Sequence, residues 1–141
     1  MLKGTLIHPE ILKALGSAGH GSTVLIADGN YPFATGSNPR AERVFLNLTP
    51  GLVNATQVLR VLVDALPIEA ALVMVPDEGP EPPIFSEFRE ILPEGLELDE
   101  ISRFPFYETA REQNTALVIA TGEQRVYANI LLTIGVVPPE D

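Results

Sequence analysis

The chain has 141 residues, 45% of them hydrophobic, and its 19 acidic against 9 basic side chains give a formal net charge of -10. That length predicts one domain over residues 1–141 around a single core, and the acidic balance argues against nucleic acid or an anionic membrane surface as partner. With no cysteine and only two histidines, His8 and His20, the chain has no disulfide, no thiolate nucleophile and no cysteine-based or three-histidine metal site.

Met1 to Leu6 carries no charged region followed by an apolar run, and no stretch of about 18 apolar residues follows, so a cytoplasmic location is expected. Pro9 suits a first helical turn, and Ile11, Leu12, Leu15 and Ala18 line one face of a helix that ends near Gly19. Val24 to Ala27 is a short buried strand that stops at the turn-forming Asp28-Gly29-Asn30. Residues 31 to 43 hold two prolines and no apolar periodicity, which predicts a long surface loop. A second helix is expected from Thr49, with Pro50 in its first turn and Val53, Leu59, Leu62, Val63 and Leu66 on its apolar face. Ala70 to Val75 is a second apolar strand, followed by a proline-rich loop over residues 76 to 83. Ile84, Phe85, Phe88, Ile91 and Leu92 give a short helix that Pro93 stops. Residues 97–101 form a short strand, 106–113 a helix, and 116–120 and 130–134 two further strands.

Apolar strands alternating with amphipathic helices imply an α/β fold, three layers (α/β/α) with a mixed, mostly parallel central sheet. Ligands of such folds gather at strand ends, where Asp28 and Glu123 fall. The segment Gly16 to Ser22 is glycine-rich but lacks the lysine of a phosphate loop and the dinucleotide fingerprint. Its glycines leave His20 open to a ligand, and a carboxylate such as Asp28 would orient that imidazole. An extended run from 20 to 28 spans roughly 26 Å, so contact requires either that the glycine loop doubles back or that the two groups meet across a subunit interface. Arg103 and Tyr107 lie in an aromatic cluster. Tyr127 and Asn129, two residues apart, share one side of an extended segment and offer donors and acceptors to the polar groups of a neutral ligand without adding net charge.

Met1-Leu2-Lys3-Gly4, Gly19-His20-Gly21, Asp28-Gly29-Asn30-Tyr31-Pro32, Arg103-Phe104-Pro105-Phe106-Tyr107-Glu108, Thr121-Gly122-Glu123 and Tyr127 to Leu132 followed by Gly135-Val136 occur in this order along the chain. Together they resemble the RbsD/FucU family, which comprises L-fucose mutarotases and D-ribose pyranases and was once described as transport-associated. The resemblance places His20, Asp28, Tyr107 and Tyr127 on catalytic positions and Arg103 and Asn129 on substrate-binding positions. It also implies a homo-oligomer, a ring-shaped decamer in bacterial members, with sites at subunit contacts. Tyr107 matches the fucose branch, where ribose pyranases tend to carry histidine. Gly29 and Tyr31 stand where fucose mutarotases commonly show alanine and phenylalanine, and Ala128 where many show glycine.

The activity so implied is mutarotation of a monosaccharide, L-fucose or a related sugar. Its chemistry is proton transfer alone, with a positioned acid or base contributing about a hundred- to ten-thousandfold and no cofactor or metal required. Three other readings stay open from sequence: a D-ribose pyranase, a non-enzymatic sugar-binding or transport-accessory protein, and a purely structural ring-forming protein.

Overall fold

The computed structural model describes residues 1–140. Six strands, β1 (Thr23–Ala27), β2 (Glu42–Phe45), β3 (Ile68–Met74), β4 (Leu98–Ile101), β5 (Thr115–Ala120) and β6 (Ile130–Ile134), form one sheet in the order β2-β5-β1-β6-β3-β4. β1 pairs parallel with β5, β5 with β2, and β3 with β4, while β6 runs antiparallel between β1 and β3. This is the mixed, mostly parallel sheet expected from the sequence.

All five residues of β1 are buried, as a central strand covered on both faces must be. Successive side chains point to opposite faces. Val24, Ile26, Leu117, Ile119, Ile130 and Leu132 accordingly belong to one core, with helices α1 (Pro9–Ser17), α2 (Ala55–Ala65) and α3 (Ile84–Ile91). Leu25, Ala27, Val118 and Leu131 belong to a second and smaller core on the opposite face. Helix α4 (Arg103–Ala110), through Phe106 and Ala110, and the 31–41 loop, through Tyr31 and Ala41, cover that face.

Most element boundaries fall within a residue or three of the sequence expectation, and three differ for local reasons. The 31–43 loop ends in strand β2, whose Glu-Arg-Val-Phe buries only Val44 and owes its strand character to the ladder with β5. The second helix starts at Ala55 rather than Thr49. Residues 49–52 instead make a tight turn at Gly51 (φ +87°), closed by Leu52 N donating to Thr49 O at 2.9 Å. The effective start signal is Asn54, whose N–H donates to Gln57 Oε1 at 2.8 Å. Helix α4 begins at Arg103 and contains Pro105, because the first turn of a helix has no use for the amide hydrogen that proline lacks. At α1, His8 precedes Pro9 and its Nδ1 accepts from Ile11 N at 3.4 Å, the capping role its position allows.

Among the described residues, no helix is long and apolar enough to cross a membrane.

Candidate active site

The ends of β1, β3, β4 and β5 and the start of β6 meet at one edge of the sheet, the carboxyl edge of its parallel strands. Asp28 leaves β1 there with 3% of its surface exposed. Its backbone N–H donates to Asn129 Oδ1 at 2.7 Å, while its carboxylate accepts from Asn30 N at 2.9 Å, Ala128 N at 3.3 Å and Asn129 Nδ2 at 3.1 Å. The amide of Asn129 is thereby locked. A backbone N–H can only donate, so Oδ1 must face residue 28, and one Nδ2 hydrogen and one Oδ1 lone pair remain for a ligand. Burial raises the carboxyl pKa of Asp28 above its ordinary value, against the opposing pull of the Asn30 and Ala128 amides and the Asn129 side chain.

Asp28 thus fixes the 127–129 segment, and Tyr127 stands at φ +58°, a left-handed conformation unusual for a bulky residue. Tyr127 and Tyr107 both pack against the smaller core. The Tyr107 hydroxyl accepts from Arg103 Nε at 3.2 Å, one helical turn away, and the Arg103 guanidinium lies 5.6 Å from the Tyr107 ring centre. Tyr31 meets the Tyr107 ring edge-on at 5.3 Å and donates from its hydroxyl to Gly36 O at 2.5 Å, so it supports the site rather than facing a ligand. Its phenol is pushed far above the usual range by burial and by the neighbouring Tyr107.

One wall of this edge is the Thr121-Gly122-Glu123 loop. Thr121 Oγ1 donates to Ala27 O at 2.7 Å and Gly29 N to Glu123 O at 2.9 Å, tying the loop to β1. Gly122 is wedged against the 49–53 turn, where an added Cβ would lie 2.3 Å from Leu52 O and 2.5 Å from Thr49 O. Glu123, which its strand-end position marked as a possible ligand contact, instead faces inward. Its Oε2 accepts from Ala55 N, at the start of α2, at 3.2 Å. Both its oxygens also accept from Arg125, which reaches on to Glu87 of α3. Burial works to raise the Glu123 pKa, but the Arg125 guanidinium and the Arg125 and Ala55 amides outweigh it and hold the group below its ordinary value. A cleft of about 510 Å³ lies beside this loop, lined by Gly29, Asn30, Thr49, Pro50 and Gln124 among others.

Five of the six residues that the family resemblance assigns to the site, Asp28, Arg103, Tyr107, Tyr127 and Asn129, therefore lie at one sheet edge. His20 does not join them within the chain. It precedes β1, at the opposite edge, and β1 alone separates it from Asp28 by roughly 16 Å at about 3.3 Å per residue. Its backbone is held by Gly21 N donating to Ile134 O at 2.9 Å and by Asn114 Nδ2 donating to Gly21 O at 3.1 Å. The His20 side chain is 61% exposed, and its Nε2 lies 3.1 Å from Glu69 Oε2. Glu69 was not singled out from sequence, the only available signal being one acid inside the otherwise apolar Ile68 to Met74 strand. Among the described residues, no three His, Cys, Asp or Glu side chains converge to hold a metal ion.

Residues 1–137 match the family model described as the RbsD / FucU transport protein family. The chain is 32% identical to the fucose mutarotase of Danio rerio, over 100% of this chain and 97% of that protein. It is 34% identical to the D-ribose pyranase of Variovorax paradoxus (strain S110), over 96% and 98% of the two chains. The crystal structure of the fucose mutarotase of Streptococcus pneumoniae in complex with L-fucose superimposes with a TM-score of 0.82 at 29% identity, covering 97% of this chain and 100% of the other.

Proposed function

The chain belongs to the RbsD / FucU family, and from that membership we propose that it is a monosaccharide mutarotase, interconverting the α and β anomers of L-fucose or a closely related sugar. The observation that carries this reading is the convergence of a locked carboxamide, two phenols, a carboxylate and a guanidinium at one sheet edge of a fold shared with an L-fucose-bound mutarotase. Such a set can hold several hydroxyls of a neutral sugar and pass protons between two of its oxygens. Ring opening takes the proton from the anomeric hydroxyl as the bond to the ring oxygen breaks, and that oxygen is protonated. Rotation of the open aldehyde and reclosure on its other face return both protons.

In this reading His20, Asp28, Tyr107 and Tyr127 form the acid/base set, and Arg103 and Asn129 hold hydroxyls. His20 reaches the rest from a neighbouring subunit of a homo-oligomer, a decamer by family resemblance. Exposed apolar side chains beside the site support such packing, Phe104 next to Arg103 at 67% exposure and Val126 next to Tyr127 at 63%. The partner is thus a monosaccharide and other copies of this chain, and the location read from the sequence is the cytoplasm.

D-ribose pyranase activity is the second reading, favoured by Ala128, which stands where many fucose mutarotases show glycine, and by the 34% identity to a D-ribose pyranase. Saturation-difference NMR of the anomeric protons of L-fucose and D-ribose, with catalytic amounts of protein, separates the two. Accelerated exchange of L-fucose is expected. Acceleration of D-ribose alone transfers the assignment to the pyranase branch, and sugar binding without acceleration of either overturns the enzymatic reading.

A further inference from the structure

His20 needs a partner to fix its ring, and Asp28, the carboxylate expected to supply one, is occupied by the Asn30, Ala128 and Asn129 donors at the far edge of the sheet. The chain provides another. Glu69 lies near the start of β3, beside the carboxyl end of β6, where Ile68 pairs with Ile134. The same Ile134 anchors the His20 loop from both sides, accepting from Gly21 N and donating to Ser22 O, each at 2.9 Å. Gly21 (φ +86°) makes the turn that returns the chain to β1. Gly135 leaves room for the acid, since a Cβ there would come within 3.3 Å of Glu69 Cβ and 3.5 Å of Glu69 Oε2.

We propose that Glu69 is the positioning residue of His20: its carboxylate accepts the Nε2 hydrogen, fixes the tautomer and plane of the ring, and leaves Nδ1 as the nitrogen presented for proton transfer. The inference rests on the reading of His20 as an acid/base group. Nδ1 has no hydrogen-bond partner among the described residues, so its lone pair can take the anomeric hydroxyl proton as the ring bond breaks and return it on reclosure, leaving no net proton gained or lost. A pair this exposed contributes little to folding. Its effect is therefore expected in turnover and not in stability.

The test compares Glu69→Ala, Glu69→Gln and His20→Ala in the whole protein at pH 8, using L-fucose exchange rates, melting temperature and long-range 1H–15N spectra of the imidazoles, with His8→Ala assigning the signals. Glu69→Ala is expected to lower kcat about tenfold or more with KM changed less than about twofold, at unchanged melting temperature. Glu69→Gln, whose amide oxygen also accepts from Nε2–H, recovers a large part of that loss. The wild-type spectrum shows His20 with Nε2 protonated and Nδ1 free, and Glu69→Ala gives an averaged tautomer pattern. If Glu69→Ala keeps full kcat, or leaves the His20 signals unmoved, while His20→Ala is inactive, the role of Glu69 is refuted and the mutarotase reading stands. Full activity of His20→Ala refutes the acid/base reading itself.

Discussion

Replacing Asp28 with asparagine tests how the buried carboxylate at the centre of the site is held. The wild-type group meets donors on both oxygens, Asn30 N on Oδ1 and the Ala128 and Asn129 donors on Oδ2. An asparagine there keeps its oxygen toward the pair and turns its NH2 toward Asn30 N, setting one donor against another. Losing that bond costs about 1–3 kcal/mol, offset in part because no charge is then buried. A net destabilisation of about 1–2 kcal/mol at pH 7 follows, or about 3–8 °C in melting temperature for a chain of this size. The sign of the pH dependence is the sharper test. Because the folded-state pKa of Asp28 is raised above its ordinary 3.8, chiefly by burial, the neutral carboxyl is the form the fold prefers, and its contribution is lost as pH rises through the folded pKa. The stability gap between wild type and Asp28→Asn should therefore widen as pH falls below neutral and level off below about 3.8. Urea unfolding of both proteins at a series of pH values and one protomer concentration measures this, since contributions from the other acids cancel in the difference. A gap that narrows on acidification would refute the reasoning, because the three hydrogen bonds would then outweigh desolvation.

Glu123 should behave in the opposite way. Its pKa is lowered on folding, so its contribution is present above the unfolded value and lost as pH falls through the folded one. Glu123→Gln is expected to cost about 2 kcal/mol at pH 7 and progressively less in acid, which the same unfolding series checks. Gly122→Ala forces a methyl against Leu52 O and Thr49 O and strains the bonds from Gly51 N to Gly122 O and from Gly122 N to Val53 O. A loss of about 3–5 kcal/mol is expected, and a melting temperature within about 3 °C of wild type would contradict the close approach. Tyr107→Phe removes a half-buried hydroxyl whose protein contact is Arg103 Nε. Melting should change little while L-fucose exchange falls at least about tenfold, and unchanged exchange kinetics would remove Tyr107 from the proposed set.

Much of the sheet was legible because a strand buried on both faces has to be apolar throughout, and Val24 to Ala27, Ala116 to Ala120 and Ile130 to Ile134 announce themselves. β2 did not, because an edge strand covered on one side can be polar, and its pairing with β5 is a long-range fact. The 49–54 segment misled because Pro50 fits a helix start, whereas the deciding contact is the packing of Gly122 against that turn from about 70 residues further along.

The order of the blocks along the chain determined the family, the α/β class and the short list of polar residues, since periodicity and residue type are properties of neighbours in sequence. Which of those residues meet was settled by the tertiary structure alone. β1 places Asp28 and His20 at opposite edges of one sheet, and the register of β6 against β1 and β3 brings Asn129 to the first and Glu69 to the second. Strand order and register are fixed by packing between distant segments, and so decide the partners of each carboxylate in a way no local pattern records.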